Sequence, residues 1–144
     1  MRRILVLNGP NLSRLGSREP DVYGSVSWNE LVSDLESMSS STVSIDVRQT
    51  DSESEMISWL HEAIDGSCDV VLNPAAFTHY SYAIRDAVAM VSHAGLAVIE
   101  VHISNPHARE EFRHNSVISG VSRGVIAGFG IDSYRLALAA LGVK

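Results

Sequence analysis

Lysine is almost missing from this chain: of 144 residues only Lys144, the last, carries an amine side chain. Imine formation with a carbonyl substrate needs a lysine desolvated within a pocket, so composition alone excludes Schiff-base chemistry. Cysteine is equally scarce. Cys68 can form no internal disulfide and supplies no multi-cysteine metal site, and its position at the start of an apolar run reads as a buried structural thiol. No apolar run approaches the length of a membrane-spanning helix, and the four apolar residues after Arg3 are too few for a signal peptide. Basic residues do not form a stripe: the ten arginines are scattered and the net charge is -6, which sets a nucleic-acid partner aside. A cytoplasmic protein is expected.

The residues that are present suit one compact domain spanning 1–144, with 45% hydrophobic and 19% charged side chains. Apolar runs at 4–7 (ILVL), 70–72 (VVL), 97–101 (AVIEV) and 124–128 (GVIAG) read as strands buried on both faces, as parallel sheets require. The alternating VSIDV at 43–47 suits a half-exposed edge strand. Ser27 to Glu30 and Ser52 to Glu55 read as capping boxes opening amphipathic helices. Further helices are expected over about 80–92 and 133–141. This βα alternation predicts an α/β fold, a flavodoxin-like doubly wound five-stranded parallel sheet in the order 2-1-3-4-5.

In such sheets ligands bind outside the carboxyl ends of the strands, near the point where strand order reverses. Polar residues collect there: Asn8 and Asn11 after the first strand, Asn73 after the third, and Glu100, His102 and Ser104 at the end of the fourth. The first turn, NGPNLSRLG, has no G-x-G-x-x-G and carries a proline where a phosphate would need amide donors. A receiver domain would place aspartates where asparagines stand, and a lysine after the last strand where none exists. His102, His107 and His114 fit no metal-ligand spacing, and His61 and His93 read as exposed helix residues. The expected pocket therefore needs neither metal nor cofactor, and its amides, hydroxyls, histidines and arginines suit a polyhydroxylated carboxylate. Tyr23 and the histidines are its candidate proton-transfer groups. On the residues alone, simpler roles stay open: Tyr23 could anchor a turn, the asparagines could cap strand ends, Asp86 could be an ordinary helix-surface partner of Arg85, and 107–114 could be a solvated charged helix.

Three blocks in order, LNGPNLSRLGSREPDVYG, NPAAFTHYSYAIRDAV and EVHISNPHAREEFRHNS, resemble type II 3-dehydroquinate dehydratase over nearly the whole chain. The resemblance implies a shikimate-pathway hydro-lyase that converts 3-dehydroquinate to 3-dehydroshikimate through an enolate. It implies Tyr23 as general base, Arg18 as the cation favouring its phenolate, and His102 as general acid. Asn11 is implied to hold the water that stabilises the enolate, and Glu100 to orient the histidine. Asn73, His79, Asp86, Ile103, Ser104 and Arg113 are implied substrate contacts, in a dodecamer of trimers whose neighbouring subunits complete each site. Ser13, Tyr80, Tyr82, Pro106 and Val117 depart from the pattern, at the loop and rim. A non-catalytic binder of a cyclic polyol carboxylate is the alternative, and the presence of base, acid and activating arginine together argues against it.

With no internal lysine, turnover should survive borohydride added together with 3-dehydroquinate. Irreversible inactivation, followed by loss of absorbance growth after dialysis, would establish an imine and overturn the enolate route.

Overall fold

Five parallel strands, β1 (Arg2–Asn8), β2 (Val43–Gln49), β3 (Asp69–Asn73), β4 (Val98–His102) and β5 (Gly124–Ala127), form a sheet in the order β2-β1-β3-β4-β5 in the computed structural model, as expected. The structure describes residues 1–17 and 20–144. Helices α1 (Pro20–Tyr23) and α2 (Trp28–Glu36) connect β1 to β2, α3 (Glu53–Gly66) connects β2 to β3, α4 (Tyr82–His93) connects β3 to β4, and α5 (Asp132–Ala140) follows β5; 3-10 turns rather than an α-helix join β4 to β5.

Alternation along β1 divides the core between the two faces of the sheet. Ile4 and Val6 pack with Leu31 and Leu35 of α2 and with Ala137 and Leu138 of α5. Leu5 and Leu7 face the other way, onto Met56 and Leu60 of α3 and Ile84, Val88 and Val91 of α4. All four β1 side chains are fully buried, which is why the run reads as continuously apolar. In β2 only Ile45 is buried, as befits an edge strand.

Both expected capping serines act. The Ser27 hydroxyl accepts from the Glu30 N–H at 3.1 Å and the Ser52 hydroxyl from the Glu55 N–H at 3.2 Å. Ser81 caps α4 in the same way, accepting from the Ile84 N–H at 3.1 Å, so that helix starts after the expected 80. Each cap satisfies an orphan donor and contributes about 1 kcal/mol. Strand β1 exceeds the expected 4–7 because Arg2 and Arg3 continue the pairing with β2, their guanidinium groups held at the rim by Asp69, Asp46 and Glu62. The charged stretch 107–114 forms no continuous helix; Asn105 caps one 3-10 turn, Pro106–Ala108, and a second follows at Glu111–His114.

The strand order reverses between β1 and β3, and there the backbone is drawn together. Gly9 N–H donates to the Asn73 carbonyl at 2.8 Å. A Cβ at position 9 would lie 2.5 Å from the Pro74 carbonyl oxygen, so only glycine fits. Beneath this point a buried hydrogen-bond chain joins three elements: Asn73 Nδ2 donates to the Tyr134 hydroxyl at 2.9 Å, which donates to Asn8 Oδ1 at 2.6 Å. Asn8 Nδ2 donates onward to the Arg48 carbonyl at 3.1 Å, giving Asn8 the structural role that its strand-end position suggested. Burial pushes the Tyr134 hydroxyl well above its ordinary range, so it remains a donor.

Tyr134→Phe deletes the middle of this chain and leaves a buried acceptor and a buried donor unmatched, a loss of about 1–3 kcal/mol. Denaturant unfolding should show that loss; a change under about 0.5 kcal/mol would mean the chain contributes nothing measurable.

Candidate active site

Strand periodicity places Glu100 and His102 on the same face at the carboxyl end of β4. His102 Nε2 meets Glu100 Oε2 at 2.5 Å, with Glu100 1% and His102 8% exposed. The other oxygen, Oε1, accepts from the Ser116 hydroxyl at 3.0 Å and the Ser119 hydroxyl at 2.8 Å. Burial pushes the Glu100 carboxyl upward, but the His102 hydrogen bond and charge and the two serine donors outweigh it, and its pKa lies below the ordinary value. Glu100 is therefore a buried carboxylate, and it accepts the Nε2–H of His102, leaving Nδ1 as the ring nitrogen not engaged by Glu100.

In front of His102 lies a narrow cleft lined by Asn73, His79, His102, Ile103, Ser104 and Arg113 together with Leu12, Ala75, Ala76, Pro106 and Arg109. Six of the expected site residues thus converge. His79 is delivered by the 3-10 turn Ala75–His79 after β3, and its Nδ1 donates to the Asn115 carbonyl at 2.7 Å. That bond leaves Nε2 as an acceptor. Burial is the main influence holding the His79 pKa below its ordinary value, aided by the nearby His102 and Arg113, while the Asn115 carbonyl acts against them. His79 accordingly enters the site as a neutral ring. Arg113 Nε donates to Glu110 Oε2 at 3.1 Å and its guanidinium stacks over Phe112, 4.6 Å from the ring centre. These contacts hold a fork-shaped donor at the cleft wall, suited to a carboxylate or vicinal hydroxyls.

Two expected residues stand elsewhere, and two more lie wholly or in part outside the described residues. Asn11 lies at the exposed rim beside Leu12, in the left-handed conformation (φ 71°), its N–H donating to Asp51 Oδ1 at 2.9 Å. Asp86 does not border the cleft: it is exposed on α4 and paired with Arg85 at 2.9 Å. Tyr23 closes α1, but its side chain, like all of Arg18, lies outside the described residues. Between β1 and α2 the described residues contain a 3-10 turn, Leu12–Arg14, and α1, with Gly16 (φ 99°) between the two and Gly24 (φ 83°) directly after α1, both in the left-handed region.

Arg109 was not anticipated. It lines the cleft beside Arg113, and its Nη1 donates to the Ser104 hydroxyl at 3.1 Å. No local spacing distinguishes it from the surrounding charges. Ser116 and Ser119 were also missed, because their importance depends on a carboxylate sixteen and more residues earlier. Cys68 is fully buried and His61 and His93 are exposed, matching their sequence readings. Among the described residues no three His, Cys, Asp or Glu side chains are grouped to hold a metal ion, and no helix is long and apolar enough to cross a membrane.

Comparison with known proteins gives this geometry its context. The family model for class II dehydroquinase matches residues 2–142. The chain belongs to the class II dehydroquinase family. The 3-dehydroquinate dehydratase of Mycobacteroides abscessus is 57% identical to it over 136 residues, covering 94% of this chain and 92% of the relative. That of Salinispora tropica is 54% identical over 138 residues, 94% of each chain. The solved type II dehydroquinase of Propionibacterium acnes superposes with a TM-score of 0.93 at 48% identity, covering 100% of this chain and 98% of its own. The dehydroquinase fold thus extends over the whole chain, with the converging cleft at the carboxyl ends of its strands.

The Glu100 carboxylate implies a pH dependence for this dehydroquinase. A carboxyl with a lowered folded-state pKa stabilises the fold above its unfolded value, and that contribution disappears as pH falls through the folded value. Below pH 4.5, the ordinary carboxyl value, wild-type protein should lose stability more steeply than Glu100→Gln. Parallel profiles of unfolding midpoint against pH for the two proteins would contradict the assignment.

Proposed function

We propose that this chain eliminates water from 3-dehydroquinate to give 3-dehydroshikimate through an enolate, with Tyr23 as general base and His102 as general acid. The observation that carries the reading is the buried Glu100–His102 pair opening onto an arginine-bordered cleft in a chain of the dehydroquinase family. The hydrogen on the carbon beside a ketone is weakly acidic, so its removal needs a positioned base and something to hold charge on the ketone oxygen. Tyrosine ionises in water only near pH 10, about, so a tyrosine base working near neutrality needs a cation that favours the phenolate. Arg18, five residues before Tyr23 on the same segment, is assigned that part.

Once the enolate has formed, the hydroxyl β to the carbonyl departs as the carbon–carbon double bond closes. His102 supplies the proton that turns this hydroxyl into water. Because Nε2–H is committed to Glu100, the proton delivered is the one on Nδ1 of the imidazolium, and the Glu100 carboxylate remains as counter-charge. Asn11 is assigned to the water that stabilises the enolate oxygen. Arg113, Ser104, Ile103, His79 and Asn73 hold the carboxylate and ring hydroxyls through the cleft they share. Asp86, which does not border the cleft of its own chain, is assigned to the site of a neighbouring copy in a dodecamer of trimers.

The product is a conjugated enone, so ultraviolet absorbance should grow when the protein meets 3-dehydroquinate; no growth sinks the activity. Tyr23→Phe, Arg18→Ala and His102→Asn should each fold, with kcat lowered by about 10²–10⁴-fold. Wild-type turnover in Tyr23→Phe or Arg18→Ala removes the base assignment, and in His102→Asn the acid assignment.

A further inference from the structure

Ser116 and Ser119 both donate to Glu100; they are absent from the lining of the cleft shared by Asn73, Ser104 and Arg109, and border instead an adjoining cleft that also touches His79, His102 and Arg113. Ser116 has no freedom in how it donates. Its oxygen accepts from the Ile118 N–H at 3.1 Å and the Ser119 N–H at 3.0 Å, which occupy its lone pairs and leave the hydroxyl hydrogen for Glu100. Ser119 adds a second hydrogen to the same oxygen, Oε1, so that Oε2 is directed at His102 Nε2. The segment carrying both serines is itself anchored: Ile118 is fully buried, and the Val117 N–H donates to the Thr78 carbonyl at 2.9 Å. Its first residue, Asn115, supplies the carbonyl that fixes His79.

We propose that Ser116 and Ser119 are positioning residues for the dehydration, acting through Glu100 to set the ring orientation and tautomer of His102. The terminal torsion of a glutamate is a broad, soft rotor. Two donors on one oxygen turn it into a fixed acceptor with one direction left for the histidine. Lacking them, the carboxylate can rotate away from Nε2, and the imidazole can then take the other tautomer, with Nδ1 no longer defined as the acid. Residues 115–119 thereby become one strap that fixes both histidines of the site, His79 through a backbone carbonyl and His102 through a carboxylate. The inference rests on the reading of His102 as general acid.

Ser119→Ala is the clean variant, since the Ser119 hydroxyl serves only Glu100 among the described residues, whereas Ser116 also builds the turn. With 3-dehydroquinate as substrate, Ser119→Ala should lower kcat roughly ten-fold, the scale of one hydrogen bond to a charged group, and leave KM within about two-fold. Ser119→Thr, which keeps the hydroxyl, should return kcat to within about two-fold of wild type. In a Glu100→Ala background the same Ser119→Ala change should alter kcat by less than about two-fold, the non-additivity of residues acting through one group. Wild-type kcat in Ser119→Ala, or an equal loss in both backgrounds, overturns the proposal. Should Glu100→Ala not fold, the threonine decides alone, and failure to restore kcat overturns it. A large loss in His102→Asn beside an unaffected Ser119→Ala rejects only the serine role; an unaffected His102→Asn rejects the acid reading beneath it.

Discussion

The site depends on the close union of β1 and β3 where the sheet changes direction. Parallel register sets Asn8 opposite Asn73 at the carboxyl ends of these strands, the Gly9 N–H closes the gap to the Asn73 carbonyl, and Tyr134 joins the two asparagine side chains from below. Any connection departing from this point starts from a fixed origin. One departing connection carries Asn11 and the turn to α1; another carries His79. The phenol reaches the junction from α5, at the far end of the sequence, so the position of the last helix is coupled to the floor of the cleft.

Against that rigid floor, the charges are arranged with unequal burial. Glu100 is almost fully enclosed, but its oxygens are occupied by three donors, which is how a buried carboxylate remains ionised without a permanently charged partner. The arginines stand at the wall instead. Arg113 is restrained by Glu110 and Phe112, and Arg109 by Ser104, so donors wait at the edge of the cleft while the Glu100–His102 pair lies at its back. Held neutral chiefly by burial, His79 adds polarity to the cleft without adding charge beside His102.

Sequence pattern carried most of this architecture for identifiable reasons. Runs such as 4–7 are apolar because both faces of the strand are covered, and the capping serines are visible because a cap is a local, four-residue device. Glu100 and His102 could be paired in advance, since two residues along a strand always share a face. What escaped were contacts made by the fold between distant segments. Ser116 and Ser119 look like ordinary turn serines until β4 is placed beside them, and Arg109 is one arginine in a charged stretch until two 3-10 turns direct it inward. Asn8 and Asn73 look alike in sequence and occupy facing positions, yet only Asn73 also lines the cleft.

The distribution of amines on the molecule has a practical side. Lys144 is exposed after α5, at a surface shared with Ser40, Thr42 and Val43, where β2 begins, and β1 itself begins one residue after Met1. The sole lysine therefore lies toward the amino ends of the strands, across the sheet from His102 and Ser104. A reagent that couples to the lysine side chain would mark each protomer on the side opposite its cleft.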